Sequence, residues 1–218
     1  MDMQKFMVKD HPVSPITEEY RKIATNIEFA NIDNNLKTVM VTSSLVGEGK
    51  TTTICNIATV MTELNKNVLL IDLDLRKPSV HKFLNLSNKR GVVDLLLNKD
   101  DYNRYINSVY PKLHVITSGK IPSNSAEILN SNSIKELIKI LSLQYDYIFL
   151  DSPPVELVSD PMIIATYVNG VILVIAHGQT EIEIVKKSVD SLKKVNSNII
   201  GTILNKMPFA KNNYYYSN

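Results

Sequence analysis

The residues with the plainest chemistry are Gly47-Glu48-Gly49-Lys50-Thr51. Two glycines one residue apart let a backbone turn its N–H groups inward and approach a phosphate closely. The lysine behind them can reach β- and γ-phosphates, and the threonine hydroxyl can bind Mg²⁺. Thr52 extends the candidate nucleotide-binding set to Gly47, Glu48, Gly49, Lys50, Thr51 and Thr52. The β-branched, apolar run 39–42 enters this segment and the helix-compatible run 51–64 leaves it. That is the strand–loop–helix setting of a phosphate-binding loop, with the positive end of the helix dipole at the same spot. The usual pattern opens with glycine six residues before the lysine, and here that position is Ser44.

Two further runs end in carboxylates. Val68-Leu69-Leu70-Ile71 leads into Asp72-Leu73-Asp74-Leu75-Arg76-Lys77-Pro78, and Tyr147-Ile148-Phe149-Leu150 leads into Asp151-Ser152-Pro153-Pro154. One carboxylate after a strand is often a plain strand cap. Two such signals beside a phosphate loop suit nucleotide chemistry, where Mg²⁺ neutralises phosphates and carboxylates hold its waters. Asp72 and Asp74, two apart on an extended segment, point the same way. Arg76 and Lys77 add positive charge, either to hold a phosphate or to balance the two acids.

The elements that must position these groups alternate along the chain. Ser14-Pro15 reads as N-cap and first residue of a helix running to about Ala30, with Ile16, Tyr20, Ile23, Ile27 and Ala30 on its apolar side. Residues 1–13 read as loose. Strands are expected at 39–42, 68–71, 113–117, 147–150, 171–176 and 199–204, the continuous apolar runs being those of a sheet buried on both faces. Helices are expected after the phosphate loop, at 92–97, from Ser125 or Ser133 to about Leu143, at 160–167, and at 180–195 with Ile182, Val185, Val189, Leu192 and Val195 inward. Residues 79–112 are otherwise irregular. This alternation means an α/β doubly wound, mostly parallel sheet. Ligands of such sheets sit at the carboxyl ends of the strands, where the loop, Asp72, Asp74 and Asp151 all fall. Residues 1–205 read as a single domain and 206–218 as a flexible tail holding Tyr214-Tyr215-Tyr216.

Bulk properties exclude some classes. The 218 residues carry a net charge of +2, which implies no nucleic-acid partner. The single cysteine, Cys55, allows no internal disulfide and fits a reducing compartment. No stretch is long and apolar enough to span a membrane, and the acidic start is no secretory signal. A cytoplasmic location is expected, with a partner supplying any membrane link.

Taken together the motifs resemble those of the bacterial tyrosine kinases. Ser44-Leu45-Val46-Gly47-Glu48-Gly49-Lys50-Thr51 is similar to their variant Walker A, Asp72-x-Asp74-x-Arg76 to their additional Walker motif, and Ile148-Phe149-Leu150-Asp151-Ser152-Pro153-Pro154 to their Walker B. The resemblance runs from about Ser14 to the tail and is nearest to the stand-alone kinases that control capsular or extracellular polysaccharide export. It implies a P-loop NTPase fold with ATP and Mg²⁺. Lys50 and the loop amides would grip phosphates; Thr51, Asp74 and Asp151 would hold the metal; Asp72 would take the proton from a tyrosine hydroxyl. Tyr214, Tyr215 and Tyr216 would be phosphoacceptors. Asn205 resembles a base-contacting residue, with a strand-ending turn as the other reading. The resemblance also implies a transmembrane activator of polysaccharide co-polymerase type that recruits the chain to the inner face of the membrane. A cognate tyrosine phosphatase and a ring of subunits belong to the same picture. The ring pattern Glu-x-x-Arg-x-x-Arg reads here Glu18-x-x-Arg21-x-x-Ala24, so a weakened ring is expected. The competing reading is a partition or septum-positioning ATPase switch of the same loop class. That group carries a lysine where this chain has Leu45, and it gives the tyrosine tail no purpose.

Overall fold

The structure, a computed structural model, describes residues 6–31, 35–98 and 101–208. Among the described residues the strands β1 (Thr38–Ser43), β2 (Val68–Asp72), β3 (Asn107–Tyr110), β4 (Leu113–Ile116), β5 (Tyr147–Asp151), β6 (Gly170–Ala176) and β7 (Ile199–Asn205) form one sheet. Their order is β3-β4-β2-β5-β1-β6-β7. Neighbours are parallel except β3 and β4. The helices are α1 (Met7–Asp10), α2 (Pro15–Asn31), α3 (Lys50–Glu63), α4 (Val80–Phe83), α5 (Val92–Asn98), α6 (Ser125–Asn130), α7 (Asn132–Leu141), α8 (Asp160–Ala165) and α9 (Ile182–Lys194).

The strand pleat divides the apolar runs between two cores. Val39, Val41, Val68, Leu70, Phe149 and Val174 turn to the side covered by α1–α4. Met40, Leu69, Ile71, Ile148 and Leu150 turn to the side covered by α5–α9. Every residue of β1, β2 and β5 is buried. These three adjacent strands deliver the phosphate loop, Asp72 and Asp151 to one edge. α3 is buried without interruption over residues 53–61, wedged between the sheet and α2. A helix enclosed on all sides holds its N-terminal Lys50 and Thr51 in a fixed place. Cys55 is one of its buried residues, as expected of a small core side chain.

Several expectations are corrected. The start of the chain is not loose throughout: α1 docks with Val8 buried, and the Val8 amide donates to Asn56 Oδ1 of α3 at 3.1 Å. Thr17 Oγ1 closes the same corner by donating to the His11 carbonyl at 2.7 Å. The buried face of α2 is Thr17, Tyr20, Ala24 and Ile27, while Ile16 is exposed. A helix buries the face its neighbour offers, and Thr17 finds a hydrogen bond there that its polarity alone does not announce. Within 79–112 lie α4, a 3-10 turn over Tyr102–Tyr105, and the edge strand β3. α7 is capped by Ser131, whose hydroxyl accepts from the Ile134 amide, and not by Ser133. On α9 Leu192 is buried as expected, but Ile182 is exposed, and Ser188 is the other buried residue of the helix.

Candidate active site

The loop between β1 and α3 turns through Gly47 at φ +82° and Gly49 at φ +94°. Side chains other than glycine rarely adopt such values. A Cβ on Gly49 would also lie 2.1 Å from Asn205 Nδ2. Among the described residues, the backbone N–H groups of Gly47, Glu48, Gly49, Lys50, Thr51 and Thr52 have no protein acceptor. Six consecutive unpaired donors at the start of a helix form a nest for an anion such as a phosphate.

The side chains around this nest converge from three strand ends. Lys50 Nζ contacts Asp74 Oδ2 at 3.1 Å. Burial works against the lysine charge, but Asp151, Asp74 and Asp72 outweigh it and hold the ammonium above its ordinary range. Thr51 Oγ1 donates to Asp151 Oδ2 at 2.6 Å and sits 2.8 Å from Ser79 Oγ. Asp151 Oδ1 is buried with no partner. Burial pushes the Asp151 carboxyl up to about 6, against the pull of Lys50 and Thr51. Asp72 is directly beside it in the β2–β5 register. Asp72 is fully buried and accepts from the amides of Asp74, Ser79 and Val80 at 3.1–3.2 Å. Burial, and then the charge of Asp151, raise its carboxyl well above the usual range.

The donor set fits a magnesium–nucleotide. Mg²⁺ is ordinarily held by one or two carboxylates together with phosphates and waters, not by an all-protein cage. The orphaned Asp151 oxygen, the Thr51 hydroxyl and the Lys50 ammonium around an empty-handed amide nest match that pattern. Two buried, mutually repelling carboxylates also call for a cation.

Three expected site residues are placed differently from a simple reading. Glu48 is 2% exposed and turns its carboxylate into the protein, to the Leu45 amide, the Ala176 amide and Thr180 Oγ1. Only its backbone N–H faces the nest. Asn205 Nδ2 donates to the Glu48 carbonyl at 2.8 Å, so it braces the loop. Arg76 makes its direct ion pair with neither Asp72 nor Asp74: its Nε and Nη2 each meet Asp160 of α8 at 2.9 Å, and Asp74 acts on it only through its charge. Sequence reading passed over Asp160, Ser79 and Thr180. Asp160 looked like an ordinary acidic helix start before Pro161, and only the fold brings it to Arg76. Tyr214, Tyr215 and Tyr216 lie outside the described residues.

A nest closed by lysine and threonine at a helix start, with aspartates on the adjoining strand ends, defines a P-loop NTPase. The family model described as "ParA: NUBPL iron-transfer P-loop NTPase" matches residues 34–215. Within that class the chain is 42% identical over 205 residues to the tyrosine-protein kinase YwqD of Bacillus subtilis (strain 168), covering 94% of this chain and 86% of YwqD. It is 35% identical over 210 residues to CapB of Staphylococcus aureus, covering 96% and 92%. The kinase domain of the Escherichia coli tyrosine kinase ETK superposes with a TM-score of 0.90 at 30% identity, covering 98% of this chain and 85% of that one. The chain belongs to the bacterial tyrosine kinase family. Among the described residues no helix is long and apolar enough to cross a membrane.

Proposed function

We propose that the chain is an ATP-dependent protein-tyrosine autokinase. It transfers the γ-phosphoryl group of ATP to its own cluster Tyr214, Tyr215 and Tyr216, and thereby regulates capsular or extracellular polysaccharide polymerisation and export. The observation that carries this reading is the unpaired amide nest of Gly47 to Thr52, closed by Lys50, Thr51 and Asp151, in a chain related to tyrosine kinases. A relative named as a putative tyrosine-protein kinase in the cps region of Klebsiella pneumoniae supports the last part.

In this reading the nest and Lys50 hold the phosphates, Lys50 exchanging its contact with Asp74 for them. Thr51, Asp151 and Asp74 hold Mg²⁺, which when bound offsets the charge of the phosphates. Arg76, kept at the rim by Asp160, adds positive charge there. Asp72 receives the tyrosine proton; its raised basicity suits it, because a hydroxyl with a pKa near ~10 is a poor nucleophile unassisted. The tyrosine oxygen bonds to the γ-phosphorus as the bond to the bridging oxygen breaks. Most of the rate gain is positioning and charge neutralisation. Residues 1–205 form the kinase domain and 206–218 the substrate tail.

The chain works beside a transmembrane activator of co-polymerase type, at the inner face of the membrane, with a phosphatase to reset it. Subunits meet in a weak ring. Arg21 pairs with Glu18 on its own helix and with Glu63 of α3 at 3.0 Å, and Ala24 is fully buried, so of the Glu18-x-x-Arg21-x-x-Ala24 pattern Arg21 is already paired within its own chain and position 24 offers a neighbour nothing.

Mixing a Lys50→Met chain with an intact tail and a chain lacking residues 209–218 tests the reading with Mg-ATP and the activator's cytoplasmic tail. Phosphotyrosine on the Lys50→Met chain is expected. ATP turnover without it would favour the ATPase switch.

A further inference from the structure

Glu48 is the most deeply engaged side chain of the phosphate loop, and its engagement is with the protein. Its Oε2 accepts from the Leu45 amide at 2.6 Å, which closes the loop on itself. Its Oε1 accepts from the Ala176 amide at 3.0 Å, at the end of β6, and from the Thr180 hydroxyl ahead of α9. No lysine, arginine or histidine among the described residues pairs with it. A buried carboxylate is costly unless donors satisfy it, and here three donors do so without a counter-charge. The residue stands between Gly47 and Gly49, both in the left-handed region. A loop hinged on two such glycines has many conformations open to it, and fixing it costs entropy.

We propose that Glu48 is a positioning residue that locks the phosphate loop to the end of β6 and the entry of α9, so that the loop amides are set before a nucleotide arrives. This rests on the nucleotide-binding reading above. The carbonyl of the same residue is held from the other side by Asn205 Nδ2, at 2.8 Å. The side chain and main chain of Glu48 are therefore both anchored, and the amides of Gly49, Lys50 and Thr51 follow from its placement. Anchoring in the free protein removes an ordering cost that binding would otherwise bear. A glutamine at this position would present an amide N–H₂ to a cluster of donors and could satisfy at most part of it.

Calorimetric titration with Mg-ADP of wild type, Glu48→Gln, Thr180→Val and the double variant tests this. Affinity is expected to fall about tenfold or more in Glu48→Gln and roughly threefold in Thr180→Val, with the loss from Thr180→Val smaller in the Glu48→Gln background than in wild type. Thr180→Ser should retain wild-type affinity. General weakening of the fold would make the two losses add. Additive losses, or wild-type affinity in both single variants, overturn the proposal. Where Glu48→Gln does not fold, Thr180→Val against Thr180→Ser decides it: equal affinities overturn it, and a loss confined to valine supports it. A wild-type chain that binds no ADP would instead overturn the nucleotide-binding reading beneath it.

Discussion

Asp151 and Asp72 sit side by side on neighbouring strands, and the Lys50 charge acts on both. Burial raises Asp151 from an ordinary value of 3.8 to about 6, so the folded chain keeps a proton there that the unfolded chain has released. The stability from this group is fully present below the ordinary value and is lost as pH rises through about 6. At pH 8 the carboxylate is therefore a liability in the nucleotide-free chain. Asp151→Asn is expected to raise the thermal midpoint at pH 8 by several degrees, to show a smaller gain at pH 5, and to abolish the stabilisation given by Mg-ADP. A lower midpoint than wild type at pH 8 would contradict this. Gly49→Ala should reduce nucleotide affinity at least about tenfold, since the new Cβ meets both an unfavourable φ and the Asn205 amide; calorimetry checks it. The nest was legible in the sequence because its glycines, lysine and threonine are contiguous. The anchoring of Glu48 to β6 and the Arg76–Asp160 pair were not, because Ala176 and Asp160 lie 128 and 84 residues away in sequence from Glu48 and Arg76.

At the scale of elements, β1, β2 and β5 were readable because strands buried on both faces must be apolar throughout. β3 was not. Asn107-Ser108-Val109-Tyr110 pairs on one side only, so its sequence carries no such run. α1 was missed because a four-residue helix has too little length for a period, and its docking depends on Asn56 of α3. The face of α2 was misjudged because Thr17 is buried for its hydrogen bonds and Ile16 is not needed by the core. The entry to β1 depends on a residue from another element: Asn169 Oδ1 accepts from the amides of Lys37 and Thr38 and from the Thr38 hydroxyl at 2.9–3.1 Å. Asn169→Ala leaves those donors to water and should cost about 1–2 kcal/mol, read as a denaturant midpoint shift at unchanged slope. No shift would mean the pin is replaced by solvent at no cost.

The whole molecule presents its site at one edge of the sheet, with the chain continuing past β7 close beside it through Asn205. The tail thus starts where the phosphate loop is braced. Light scattering at micromolar concentration should give mainly a monomer, because α2 spends Arg21 on Glu18 and Glu63 within its own chain. A stable ring under those conditions would show that other surfaces hold the subunits together. The most direct measurement for the account is mass spectrometry of the C-terminal peptide after incubation with Mg-ATP, alone and with the activator's cytoplasmic tail, with Lys50→Met and Asp72→Ala chains as controls. The expected result is phosphate on Tyr214, Tyr215 or Tyr216 that is absent in both controls. ATP consumed with those tyrosines unmodified, in both conditions, would contradict the kinase reading.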